Sequence, residues 1–435
     1  MNIAIYTNDF GWAGGIDLLH GIVKGLLAEK KTEKKIYIII NDPSLKQPLR
    51  ARLKGKIKTL LWAILNPKQF FAKYFKQVKK HQGNQVKEHH GNKEDFNHLS
   101  YIVEIFSKEE VSLVFYNESH PRGWEKILKS IRADIILPVF NSHPFKNSSV
   151  PYVGCLFDFV YKHHAHLYTS EFCLKTDIYY ATTLLNSKSV VVNSRDVYKD
   201  INKFFPYSET KVFMMPFAPF TNTKVYQEAL DNAEIKNKFG IKNKYFIISN
   251  QFWLHKSHET AFEALTLLHK ILGRQEVCIV CTGKMTDLSG KNNRRDQLFK
   301  YVDELGLSNH IFFVGHVKKV DQLALMLRSE GVLQPTTFEG GPGGGSVYMA
   351  IANGIPAIVS DISVNKEIEN EPLVTFFKLQ DPKDLADKMY EQLLRGFPVL
   401  IPDKIEEKNI NRLSHLGEEL IDCINFTISS SKKRC

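Results

Sequence analysis

The chain has 435 residues, 43% of them hydrophobic and 24% charged. That length exceeds one ordinary core and predicts two domains, and the composition excludes a chain that is disordered by default. The formal charge of +11 is local: from Lys46 to Lys93 thirteen Lys/Arg face the single acid Glu88, so the rest is near neutral and the protein is not basic throughout.

Asn2–Thr7 is an apolar, β-branched run and predicts a first strand. It lacks a basic n-region, and no apolar run is long enough to span a bilayer, so a cytoplasmic protein without a signal peptide is expected. The turn Asn8–Gly15 follows, then Ile16, Leu18, Leu19, Ile22, Val23, Leu26 and Leu27 recur at helical spacing. Strand, glycine turn and helix open a doubly wound domain with its ligand site at the strand's carboxyl end. Gly14 and Gly15 either let a phosphate approach the helix N-terminus or form a structural tight turn.

After a strand over Lys35–Asn41 comes the basic segment, whose Leu60, Leu61, Trp62, Ile64, Leu65, Phe70, Phe71, Tyr74 and Phe75 alternate with lysines. It reads as a helical hairpin broken at Asn66-Pro67. Three roles stay open: contact with an anionic membrane, binding of an anionic acceptor, or a solvated insert whose aromatics pack on the domain. No motif supports nucleic acid. Strands are predicted at Ser112–Tyr116, Asp134–Val139, Tyr152–Leu156 and Ser189–Val192, with helices at Trp124–Ile131 and Leu174–Leu185. Met215–Pro219 punctuates the series and marks a boundary near residues 216–224.

The second half repeats the alternation: strands at Tyr245–Ser249, Glu276–Thr282, His310–Val314 and Gly331–Gln334, helices at His258–Leu272, Arg294–Leu305 and Gln322–Leu327. Asp381–Leu394 and Glu406–Cys423 read as closing helices. Cys278 and Cys281 form a CxxC inside a buried-strand pattern with no second pair nearby, so core packing is expected rather than zinc.

The stretch Phe338–Asp361 holds the chemistry. An acid, Glu339, precedes Gly340-Gly341-Pro342-Gly343-Gly344-Gly345-Ser346, then comes a short apolar helix ended by Gly354 and a buried strand at Pro356–Ser360. Glycines before a helix start let backbone N–H groups approach an anion. Ser346 is placed to cap the helix or to donate to that anion, and Glu339 to accept from hydroxyls. Phosphate plus hydroxyls suggests a sugar nucleotide; the bland alternative is a glycine-rich surface turn.

These residues resemble a retaining glycosyltransferase of the GT-B fold, in the group 1 / family 4 set, of the type that builds bacterial cell-surface polysaccharides such as lipopolysaccharide and O-antigen. Gly14-Gly15 resembles the glycine pair that approaches the donor diphosphate, and Tyr152–Phe159 the strand and loop facing the donor sugar. Ser249–His258 resembles the loop that supplies a diphosphate-binding lysine, here Lys256, and Glu339–Asp361 resembles the Glu-x7-Glu region. The resemblance implies two Rossmann-like domains, residues 1–216 (with the insert at about 44–98) and 217–405, followed by a helix and tail at 406–435. It implies Glu339, Lys256 and Asp158 as catalytic, and Gly14, Gly15, Asn250, Gln251, Lys256, Gly283, Gly343, Gly344, Gly345, Ser346 and Val347 as donor-binding. No metal or cofactor is expected: Lys256 and the helix N-terminus can stabilise the departing nucleoside diphosphate.

Two positions depart from the pattern. The second glutamate falls on Met349, which cannot accept ribose hydrogen bonds as a carboxylate does, and the histidine before the first-domain aspartate is Phe157. His163, His164 or His166 supplies an imidazole, or they form a solvated cluster; Asp158 can also simply cap a turn. The implied function is transfer of a sugar, with retention, from a nucleotide-sugar to a growing lipid-linked surface glycan by a peripheral membrane enzyme. The rivals are a GT-B nucleotide-sugar epimerase, which the basic aromatic insert argues against, and a degenerate glycan- or partner-binding homologue, which Lys256 and Glu339 argue against.

Overall fold

Runs such as Ile3-Ala4-Ile5 and Val190-Val191-Val192 are apolar on both faces, as strands of a parallel sheet sandwiched between helices must be. A computed structural model of the chain describes residues 1–10, 13–42, 98–117, 123–145, 148–274, 276–285, 293–396 and 402–432. The basic aromatic insert and its three open roles lie outside the described residues.

The first sheet holds β1 (Asn2–Tyr6), β2 (Lys35–Asn41), β3 (Ser112–Tyr116), β4 (Ile135–Val139), β5 (Tyr152–Leu156), β6 (Ser189–Val192) and β7 (Lys211–Met214). All are parallel, in the order β3-β2-β1-β4-β5-β6-β7. The second holds β8 (Lys244–Ser249), β9 (Val277–Thr282), β10 (Ile311–Gly315), β11 (Val332–Gln334), β12 (Ala357–Ser360) and β13 (Val374–Phe377), parallel in the order β10-β9-β8-β11-β12-β13. Both orders run outward one way from a central strand and then the other. The reversals fall between β1 and β4 and between β8 and β11, where such sheets bind ligands at their strand C-termini.

The strands expected from the sequence form, with ends shifted by one residue or less, and two more appear, β7 and β13. The expected turn at Asn8–Gly15 is shorter, because the first helix begins at Ala13 and takes Gly14 and Gly15 into its first turn. Cys278 and Cys281 lie buried in β9 and face opposite sides of the sheet, in two different apolar clusters, as core residues. Among the described residues, no helix is long and apolar enough to cross a membrane.

The closing helix is longer than expected and joins both halves. It spans Pro402–Lys432. Near its start Arg412 and Lys408 bind Glu371, and Asn409 donates to the Ala352 carbonyl (2.9 Å) that also accepts from Thr221 (2.7 Å) in the crossover from the first half. Farther on, Leu416, Leu420, Ile421, Cys423 and Ile424 are buried in the core of the first sheet. The approach is closest at a glycine pair: a Cβ on Gly417 would stand 2.1 Å from the Gly25 carbonyl oxygen on the first helix. The helix expected within the closing segment 406–435 thus supplies part of the first core.

Candidate active site at the facing strand ends

Loops from both sheets meet where the strands end. After β8 the chain makes a single 3-10 turn, Leu254–Lys256, and then Ser257 takes a left-handed conformation (φ 48°) before the helix His258–Leu272 begins. A left-handed serine costs of order 1 kcal/mol and holds only where its surroundings fix it. Here it sets the chain's reversal and leaves Lys256 pointing across the end of the sheet. After β11 the chain runs through Thr336 and Thr337, which bond to the His255 carbonyl (3.0 and 2.8 Å), and so brings Glu339 beside Lys256.

The two side chains form a near-buried ion pair: Lys256 Nζ lies 2.5 Å from Glu339 Oε1, with 12% and 10% side-chain exposure. Gln334, at the end of β11, donates to the same carboxylate oxygen (2.7 Å). Its amide oxygen accepts from Asn250 (2.7 Å) and from Ser346 (3.1 Å). A second chain of bonds, Gln322 to Ser249 and Ser249 to Thr282, pins the neighbouring strand ends.

The glycines shape this cluster. Gly343 and Gly344 both take positive φ (67° and 64°) and start the helix Gly344–Ala352. A Cβ on Gly344 would stand 2.9 Å from Glu339 Oε2, so the bare backbone is what admits the carboxylate. Asn365 accepts from the Gly343 N–H (2.7 Å). The N–H groups of the helix's first turn have no intrahelical partners; that of Gly344 donates to the Gly341 carbonyl (3.3 Å). Gly283, at φ 140°, lets the end of β9 pass the Asn250 carbonyl, 2.0 Å from where a Cβ would sit.

Ser346 is not the helix cap. Gly343 holds that position with no side-chain cap bond, and Ser346 is buried one turn in, bonded to Gln334. Val347 is fully buried against Gly343, its side chain in the apolar cluster behind the helix. Met349 is partly buried against the apolar cluster behind the helix, and no carboxylate stands at that position. Gly14 is exposed and Gly15 buried at the first helix's N-terminus, beyond the end of β1; Gln251 is exposed after β8.

The first domain meets the glycine loop directly. A Cβ on Gly340 would stand 2.0 Å from the Phe157 carbonyl oxygen and 2.6 Å from Asp158 Cβ. Ser194 donates to the Gly340 carbonyl (2.7 Å), and the Asn193 amide nitrogen, in the orientation that satisfies it, reaches the carbonyls of Phe157 and Gly340 (3.1 and 3.2 Å). A second clasp joins Lys319 to Asp17 (2.6 Å). Asp158 is brought to the cluster: burial raises its pKa, the charge of Glu339 adds to this, and Lys256 and the N–H of Val160 (3.0 Å) oppose it. The Val160 bond also makes Asp158 the head of a short turn, as the capping reading of this residue expects.

The histidines divide. His163 pairs with Asp200 (2.8 Å) and its ring lies 5.3 Å from that of Phe338; His164 lies 5.9 Å from His255 of the other domain; His166 is exposed. Burial, and then Lys256, lowers the pKa of His255 to about 3. Sequence reasoning missed Gln334, Gln322 and Ser194. The signal for Gln334 was a polar residue closing the buried run Val332-Leu333. Among the described residues, no group of three or more His, Cys, Asp or Glu is arranged to hold a metal ion.

Comparison with known proteins places this architecture. Residues 231–396 match the family model described as glycosyl transferases group 1. The structure is similar to Alr3699/HepE of Anabaena, solved with UDP and glucose (14% identity, 100% of this chain and 98% of that chain, TM-score 0.55). It is similar to a glycosyltransferase of Rickettsia africae (14% identity, 99% and 97% covered, TM-score 0.52). The chain has the GT-B fold. It is likewise similar to sucrose-phosphate synthase of Thermosynechococcus elongatus (12% identity, 98% and 95% covered, TM-score 0.52). No curated protein matches the chain in sequence.

Proposed function

We propose that this protein is a retaining glycosyltransferase of family 4 that moves a sugar from a nucleotide-sugar to a growing, lipid-linked surface glycan at the cytoplasmic membrane face. The observation that carries the transferase reading is the Lys256–Glu339 pair beside the left-handed glycines Gly343 and Gly344. The group 1 match over residues 231–396 supports it, since that stretch contains every element of the pair and the loop.

The chemistry follows from exchange of partners. In the free protein Lys256 and Glu339 neutralise each other. A donor diphosphate entering at the N-terminus of Gly344–Ala352 takes Lys256 as its counter-charge. Glu339 is then released to accept hydrogen bonds from donor-sugar hydroxyls, while Gln334 holds its other contact. As the glycosidic bond breaks, charge grows on the departing phosphate oxygen, which the ammonium and the helix N–H groups stabilise. That phosphate oxygen takes the acceptor hydroxyl's proton, and Asp158 faces the sugar from the first domain.

The lipid-linked acceptor and the membrane contact rest on the basic aromatic segment of Lys46–Lys93. The test is a thermal-shift panel of UDP-, GDP-, ADP- and CMP-sugars. One donor should raise Tm in a concentration-dependent way. A folded protein that shifts with none of them overturns the reading and favours a binding homologue without a donor site.

A further inference from the structure

A cavity of about 810 Å³ lies beside the cluster but contains neither Lys256 nor Glu339. Its walls come mainly from the second domain, around Ser257, Arg294, Tyr301 and Gln380, and His164, His166 and Leu167 of the first domain complete them. It adjoins the site through the chain itself: His255, in its wall, precedes Lys256, and Thr337 stands two residues before Glu339.

Among the described residues, the lining is polar and offers no free cation. Arg294 is spent on a two-pronged pair with Glu259 (2.5 and 2.6 Å), and Tyr301 is bonded to Glu263. A phosphate would find no unengaged guanidinium here. What remains are groups that both donate and accept: the amides of Gln297 and Gln380, the hydroxyl of Thr337 and imidazoles. Burial keeps His255 and His164 below the usual histidine range, hence neutral at pH 7. His255 is 5% exposed, and its Nδ1 is buried without a partner. Among the described residues, two of the three non-glycine residues with positive φ, Ser257 and Gln380, also stand on this wall. The volume falls within the roughly 300–1,000 Å³ of ligand sites.

We propose that this cavity is a saccharide subsite, separate from the donor cluster, that holds neutral sugar rings of the acceptor through their hydroxyls. Binding of sugar stands on the cavity's own chemistry; its role towards the acceptor rests on the transferase reading. Gln297 and Gln380, both exposed at the wall, meet ring hydroxyls, and Tyr301 and the imidazoles offer flat faces.

Saturation-transfer NMR of the full chain with maltotriose, cellotriose, chitotriose and mannotriose tests this. At least one trisaccharide should bind, and saturating UDP should leave it bound. Gln297→Trp, which crowds the cavity, and the double variant Gln297→Ala/Gln380→Gly should each weaken binding at least tenfold with unchanged Tm. No binding by any of the four, displacement by UDP, or undiminished binding in both variants overturns the subsite. The nucleotide-sugar panel on the same sample separates the two readings: donor binding without saccharide binding removes only the subsite, and the reverse removes only the transferase.

Discussion

Replacing Gly340 with alanine tests whether the two domains must touch for the site to work. The new Cβ would sit 2.0 Å from the Phe157 carbonyl oxygen, backbone against backbone across the cleft. Ordinary contact needs at least 3 Å, so the loop and the first domain must part by about 1 Å. That separation breaks the Ser194 and Asn193 bonds to the Gly340 carbonyl. At about 1 kcal/mol each, the closed arrangement loses about 2 kcal/mol, a factor of about 30 in its population. Neither core is touched, so Tm should hold while kcat/KM for transfer falls about 30-fold. Small-angle scattering should show a slightly larger particle. Unchanged kcat/KM in a folded Gly340→Ala protein would refute the claim that this contact belongs to the working state.

Glu339→Gln keeps the size of the side chain but removes the charge that pairs Lys256, and should lower kcat by about 100-fold or more in a transfer assay; Lys256→Ala should do the same, and full turnover in either would end their assignment. Gly417→Ala drives a methyl to 2.1 Å from the Gly25 carbonyl oxygen and should cost about 2 kcal/mol, seen as a fall in Tm of roughly 5 °C by calorimetry. His258 is fully buried, stacks on Phe252 at 4.7 Å, and has no partner for either ring nitrogen. Burial, then Arg294 and Lys256, lowers its pKa to about 3, so the fold holds it neutral and loses stability as pH falls from 6.5 towards 3. His258→Phe should therefore raise stability at pH 7 by about 1 kcal/mol and flatten the acid limb of a Tm–pH curve; an unaltered limb would place the acid sensitivity elsewhere.

The fold was legible because its strands are buried on both faces. Tyr152–Leu156 and Ser189–Val192 were read with their true ends, since apolar runs of that length have few other uses. Strands β7 and β13 were missed because they are the outermost strands of their sheets and only partly buried, so Lys211-Val212-Phe213-Met214 looks like a linker. That the glycine run lets backbone approach closely was legible locally, whereas Lys256 and Glu339 were joined in one site only by the resemblance. Gly340 against Phe157 could not be anticipated, since nothing local in either segment records a contact between residues so far apart in the chain. The capping alternative for Ser346 failed by a similar limit: a serine just after glycines is good cap chemistry, but the helix begins at Gly344 and Gly343 takes the cap position.

The glycine seam between Gly25 and Gly417 bears on how the protein is made. Synthesis delivers all seven strands of the first sheet well before Leu416 to Ile424, yet those residues belong to that sheet's core. At about 5–20 residues per second the wait is roughly 10–40 s. Throughout it the first helix presents a bare groove where the last helix will lie. The second domain, whose strands all fall within the wait, can fold while the first is still open. The half that emerges first is thus sealed last, and a nascent chain needs its groove shielded until then.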